Sequence, residues 1–268
     1  MTVITYNDKK IFRLPKSKSP EINSVFFMSV HKSGSTLLNN MVRDLCEILE
    51  YEYTDIQSFY FNKGIPDRSI PTCTEKIFKK KGYVYSGFRY FPHQYEIPCF
   101  YECPLVVLIR DPRDAVVSQY YSLAKSHPLP GIGLDKSLRG HMLKKREEVA
   151  GTDIDEFCLK NIGGFVKKIR TYQELIKTHP NVKLFQYEEV IYMKKKWIKT
   201  MLRFLGWKLK PGQPLRLAAK HNVLPVSEQE SSHIRQVHPQ NHVHKLRPET
   251  VRKMNKMHKD VLIAYNYI

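Results

Sequence analysis

The amino-acid sequence predicts an α/β domain with a central parallel β-sheet flanked by helices. Three observations carry this reading. Val25, Phe26, Phe27, Met28 and Val30 make a short apolar run with β-branched and aromatic members, which reads as a buried strand. Leu105–Ile109 (LVVLI) has the near-continuous apolar character of a strand covered on both faces, as parallel sheets require. Asn181–Gln186 (NVKLFQ) reads as a further core strand, and a helical pattern follows each of the three.

The elements follow in order. Residues 1–22 are polar and broken by Pro15 and Pro20, which predicts a loosely ordered arm. After the first strand, Leu37, Leu38, Met41, Val42 and Leu45 fall at helical spacing and extend a helix to about residue 50. From Tyr51 to Lys81 the pattern is broken by Gly64, Pro66 and Pro71, so loops and short helices are expected. Tyr83–Phe88 reads as a second short strand. In Arg110–Ser122 (RDPRDAVVSQYYS), Asp111 is a good N-cap and Pro112 a good first helical residue. Arg110 therefore sits at the carboxyl end of a strand, where ligands bind in open α/β sheets. The competing reading of Arg110 is an ion pair with Asp111 or Asp114. Residues 125–151 hold Pro128, Pro130, Gly131, Gly133 and Gly140, and are expected to form a lid or acceptor-recognition loop. A long helix is expected over Thr152–Thr178, another from Glu188 to about Leu205, and a last one from Pro248 to Tyr267.

The 268 residues suffice for one large domain, taken here as 1–268, or two small ones. A net charge of +18 favours anionic ligands. The stretch Ile191–Lys220 alone holds nine Lys or Arg and no acid, which reads as a solvated basic helix face or as part of an anion-attracting surface. Five scattered cysteines without a CxxC pair argue against a disulfide framework or a zinc site, and predict reduced thiols. His238, His242 and His244 lie close together, but no carboxylate or Cys stands at ligand spacing beside them, so no metal is expected. The first twenty residues show no signal-like apolar stretch, and no segment nears the ~18 apolar residues of a membrane span. A cytoplasmic location is expected.

The chemistry concentrates in Val30–Thr36 (VHKSGST). Gly34 permits a tight turn and the close approach of an anion. Ser35 and Thr36 open a helix whose N-terminus offers amide donors and a partial positive charge, and Lys32 adds a full charge. This is a phosphate cradle, yet not the triphosphate version: Lys32 precedes the only Gly, and GK[ST] occurs nowhere in the chain.

VHKSGST after one strand and RDPRDAVVSQYYS after a later one together resemble the two cofactor-binding signatures of the sulfotransferase family. LFQYEEV followed by WIKTMLRFLGW is similar to a third segment of that family. The resemblance implies a P-loop-like α/β fold and transfer of a sulfuryl group from 3′-phosphoadenosine 5′-phosphosulfate (PAPS) to a hydroxyl or amine, releasing 3′-phosphoadenosine 5′-phosphate (PAP). It implies that Lys32, Ser33, Gly34, Ser35 and Thr36 hold the 5′-phosphosulfate, that Arg110 and Ser118 bind the 3′-phosphate, that Tyr187 lies near the adenine, and that Arg235 belongs to a C-terminal loop over the 3′-phosphate. The family's adenine-stacking Trp is replaced by Leu37. The place of its catalytic His falls at Phe88 or Arg89, so His93, the nearest imidazole, is the expected base beside the catalytic Lys32. The expected partner is a small-molecule acceptor, with neither nucleic acid nor membrane; oligomeric state is open. A P-loop kinase or hydrolase, and a basic module that binds polyanions without chemistry, are the alternatives.

Overall fold

A computed structural model describes residues 2–94, 96–131, 136–225, 228 and 236–268. The chain opens with an antiparallel hairpin, β1 (Val3–Tyr6) and β2 (Lys9–Arg13). This corrects the expected loose arm: Ile4 is fully buried and Leu14 nearly so, which anchors a segment that looks polar in sequence. There follow β3 (Val25–Ser29), α1 (Ser35–Leu49), β4 (Glu52–Thr54), α2 (Ile56–Asn62), β5 (Tyr83–Phe88), β6 (Leu105–Ile109) and α3 (Pro112–Tyr121). The second half holds α4 (Lys136–Ala150), α5 (Ile154–Thr178), β7 (Val182–Gln186), α6 (Tyr187–Val190), α7 (Lys194–Leu205), α8 (Gln213–Lys220), α9 (Asn241–Lys245), α10 (Pro248–Met257) and α11 (Lys259–Ala264).

Strands β3 to β7 form one parallel sheet in the order β4-β5-β3-β6-β7. Side chains alternate between its faces. Phe26, Met28, Leu105, Val107 and Ile109 join one core with α3 and α5. Val25, Phe27, Val106 and Leu108 join the other, under α1, α7 and α8. Every residue of β3, β5 and β6 is buried, which explains why their sequences are apolar or small without alternation. From β3 the chain turns to one side, toward β4, and from β6 to the other, toward β7. The crevice between the carboxyl ends of β3 and β6 is therefore the switch point of the sheet, the usual ligand position in such folds.

Three boundaries differ from expectation. The short edge strand β4 lies in a stretch read as loops and short helices. The helix expected from Glu188 to Leu205 is interrupted between α6 and α7, and the last helix breaks at His258. Much of the expected lid at 125–151 is helix, α4 (Lys136–Ala150), and a π turn lies at Ser122–Ser126.

Two buried carboxylates tie the C-terminal segment to the start of α3. Asp111 caps the helix by accepting from the Arg113 amide (2.9 Å) and clasps the Arg113 side chain (Nη2–Oδ2 2.6 Å). Arg113 in turn donates to Asn255 Oδ1 (2.6 Å) and the Tyr267 carbonyl (2.8 Å). Asp114 accepts from the amides of Gln240 (2.7 Å) and His242 (3.0 Å), and lies 2.7 Å from His242 Nδ1. Burial opposes ionisation of Asp114, but the His242 hydrogen bond and the Arg110 charge prevail and hold its pKa at about 2, against an ordinary 3.8. A depressed carboxylate pKa stabilises the fold above the unfolded value, and that contribution fades as pH falls from 3.8 toward 2. Asp114→Asn should therefore lower stability by about 2 kcal/mol near pH 6. Urea denaturation should show the gap between wild type and variant closing below pH 3.8; a gap independent of pH would contradict this role.

Candidate active site

The cradle forms because the backbone leaves β3 in a conformation that favours an anion. Lys32 (φ 63°) and Gly34 (φ 84°) both adopt left-handed geometry, and the Ser33 amide donates back to the Val30 carbonyl (3.1 Å). Gly34 ends the turn as the N-cap of α1, and no side chain caps that helix. Uncapped first-turn amides and the helix dipole together favour a negative group at this point. Glycine is required at 34 for a second reason: a Cβ there would lie 2.7 Å from Tyr187 Cδ2.

Tyr187 is the floor against which the next element rests. The Arg110 guanidinium lies over its ring, 4.4 Å from the centroid, and the Tyr187 hydroxyl donates to the Val237 carbonyl (2.8 Å). Burial raises the phenol to about 12, so it remains a neutral donor although Arg110 pulls the other way. Arg110 is itself only 4% exposed. Its Nη2 stands 3.5 Å from Asp114 Oδ2, and its Nη1 donates to the Lys32 carbonyl over 3.4 Å; Nε has no hydrogen-bond partner among the described residues. The competing reading of Arg110 thus holds in part. Asp114 is near, but at long range and already shared with His242, while Asp111 is committed to Arg113. Ser118, two turns into α3, lines the same cleft.

The structure brings Lys32, Gly34, Ser35, Thr36, Arg110, Ser118 and Tyr187 to one cleft. Ser33 is buried beneath the turn with an unpartnered hydroxyl. It does not bring His93 there. His93 is exposed in the turn after β5, where its ring packs on Phe91 (4.8 Å), outside the cleft lining. Sequence distance to the strand end misled here, because the chain turns away after residue 90. Arg235 lies outside the described residues. Of the three clustered histidines, His242 serves Asp114 and His238 pairs with the Tyr192 hydroxyl (2.8 Å). Among the described residues no group of three His, Cys, Asp or Glu side chains converges as metal ligands would.

The cleft contains groups that the sequence reading left without roles. His31 and His127 face each other edge to face, with centroids 6.3 Å apart, and the His31 ring stacks on Phe165 at 6.4 Å. Burial, then the charges of Lys32, Lys168, Arg89 and His127, hold the His31 pKa well below the ordinary imidazole range. Arg89 also lines the cleft, as do Leu37, Ile191, Val223 and Val237 on its apolar side. His31 lay inside the motif that marks the cradle, so adjacency to Lys32 was the signal that pointed to it. His127 becomes part of the site only through the tertiary path of the 125–131 segment.

A family model described as "Sulfotransferase domain" matches residues 92–261. The fold is similar to that of mouse sulfotransferase SULT7A1 complexed with PAP, at 16% identity over 90% of this chain and 84% of that one, TM-score 0.58. It is also similar to retinol dehydratase in complex with retinol and PAP (18% identity, 94% and 83% covered, TM-score 0.55). The same enzyme with androsterone and inactive cofactor PAP matches with TM-score 0.52, at 18% identity over 94% and 83%. No curated protein matches the sequence itself. The family match spans more than half of the chain, and with the strand–cradle–helix geometry in place the conclusion is direct: the chain belongs to the sulfotransferase family.

Proposed function

We propose that this protein, acting as one unit over residues 1–268, transfers the sulfuryl group of PAPS to the hydroxyl or amine of a small-molecule acceptor. The observation that carries the reading is the buried Arg110 guanidinium. It is too weakly paired to be purely structural, and it stands across the switch-point crevice from an uncapped helix start and Lys32. Lys32, the start of α1, Arg110 and Ser118 line one cleft, which fits a ligand with several anionic oxygens. Solved neighbours of this fold crystallised with PAP, and with retinol and androsterone, support the same cofactor and a small acceptor.

When bound, PAPS supplies the sulfuryl group, and PAP is what remains. The first-turn amides of α1, with Ser35 and Thr36, would hold the 5′ anionic oxygens, while Ser33 lies buried beneath the turn and its amide is committed to Val30. Arg110 and Ser118 hold the 3′-phosphate through charge-assisted hydrogen bonds, which are the strong class. Tyr187 supports the guanidinium from below. Leu37, Ile191, Val223 and Val237 offer an apolar wall in place of a stacking Trp. Lys32 neutralises charge growing on the leaving phosphate oxygen, the transition-state role that a positioned cation performs best. His31 takes the acceptor proton on its unprotonated ring nitrogen; its depressed pKa keeps that nitrogen free at neutral pH. Residues 127–128 cover the acceptor side, held by Arg146 donating to the His127 carbonyl (2.5 Å) and Arg139 donating to the Pro130 carbonyl (3.2 Å).

Turnover of labelled PAPS over a panel of acceptors tests the reading. Lys32→Ala should reduce kcat on the order of 10²–10³-fold while PAP affinity falls much less; unchanged turnover would remove Lys32 from the chemistry. His31→Ala should cost about 10²-fold or more, whereas His93→Ala should have little effect. Because the shift is downward, the base form of His31 persists into acid. The acid limb of kcat/KM should accordingly fall below the ordinary imidazole range, and a limb at or above it would assign the base elsewhere.

A further inference from the structure

Cations in the cleft exceed what the proposed cofactor uses. Lys32 and Arg110 answer its 5′ and 3′ charges, yet Arg89 lines the same cleft next to His31, and among the described residues no Asp or Glu does. Arg89 is placed firmly. Gly87, two residues before it, holds a left-handed φ of 88°, and a Cβ there would run into the Asp55 carboxylate that caps α2. The Gly87 amide donates to the buried Asn39 Oδ1 (3.2 Å), and the Arg89 amide to Gln57 Oε1 (3.3 Å). The Arg89 guanidinium, by contrast, makes no close ion pair and no hydrogen bond among the described residues; the carboxylate it influences is Asp55, which is already engaged in capping α2.

A second cation stands behind it. Lys168 of α5 is half-buried, its Nζ 5.6 Å from the Phe165 centroid and 5.8 Å from that of Tyr90, again with no ion pair among the described residues. The same Phe165 ring stacks on His31. The carboxylate that influences Lys168 is Asp67, which is exposed and accepts a hydrogen bond from the Tyr90 hydroxyl. A cleft lined by one sign of charge focuses its field on ligands of the opposite sign.

Resting on the sulfotransferase reading above, we propose that the acceptor carries its own negative group, a carboxylate or a sulfate, which Arg89 binds beside His31 while the Lys168 charge reinforces it. Such a group, held at a fixed distance from the hydroxyl to be modified, orients that hydroxyl toward His31.

The test uses full-length protein and matched acceptors: 4-hydroxyphenylacetate against its methyl ester, 4-hydroxybenzenesulfonate against phenol, and methyl glucuronide against methyl glucoside. Calorimetric binding to the PAP-loaded protein and kcat/KM with PAPS are both read. In at least one pair the charged member should bind about tenfold or more tightly, as one charge-assisted hydrogen bond gives. The carboxylate and sulfonate arms show which anion is preferred. Arg89→Met should bring that ratio close to one through KM, and Arg89→Lys should restore part of it. If PAP binds but no charged member is preferred in any pair, or if the preference survives Arg89→Met, the proposal is wrong. Failure to bind PAP at all would instead overturn the cofactor reading on which it rests.

Discussion

A guanidinium buried to 4% exposure with one distant carboxylate is the constraint around which this structure is arranged. Removing such a charge from water costs several kcal/mol unless polar groups replace the solvent. Here the replacements come from three parts of the chain. The Tyr187 ring lies beneath it, the Lys32 carbonyl meets one nitrogen, Asp114 faces another, and Glu188 contributes its charge from the start of α6. Each then imposes a condition of its own. Tyr187 pressed against the cradle leaves no room for a side chain at Gly34. Asp114, shared with His242 and Gln240, draws the segment after residue 235 back over α3. The fold thus assembles around a cation that its own residues do not fully satisfy.

Much of this was legible in the sequence, for a simple reason. Strands β3, β5 and β6 are buried throughout, so their residues are apolar or small without alternation, and the abrupt change at His31 marks where the sheet ends. The pairing of Lys32 and Gly34 with Arg110 was readable because each lies shortly after a strand, and Ser118 followed from the helix that Asp111 and Pro112 start there. The hairpin at 3–13 and the short strand β4 were not readable, since their stability comes from tertiary contact of a few side chains such as Ile4 and Thr54.

The proposed base shows the same limit more sharply. His93 and His31 are both imidazoles near strand ends, and sequence favoured the one close to the expected family position. What separates them is three-dimensional: the chain after β5 carries His93 into solvent, while Phe165 of α5 and His127 of a distant loop enclose His31. Arg89 presents a parallel case. As a lone residue after a strand it reads as one more surface cation in a chain of net charge +18. Its placement between Gly87 and the cleft, with no close carboxylate partner among the described residues, sets it apart from the solvated lysines of α7.

The central claim is that Arg110 waits for a phosphate on the ribose rather than serving the fold alone. Calorimetry with PAP and AMP, on the wild type and on Arg110→Met, tests it most directly, because the two ligands differ only in the 3′-phosphate. Two charge-assisted hydrogen bonds from Arg110 should make PAP bind at least ~100-fold more tightly than AMP, and Arg110→Met should erase most of that difference. Equal affinity of the wild type for PAP and AMP would mean that Arg110 and α3 are structural, and would contradict the account.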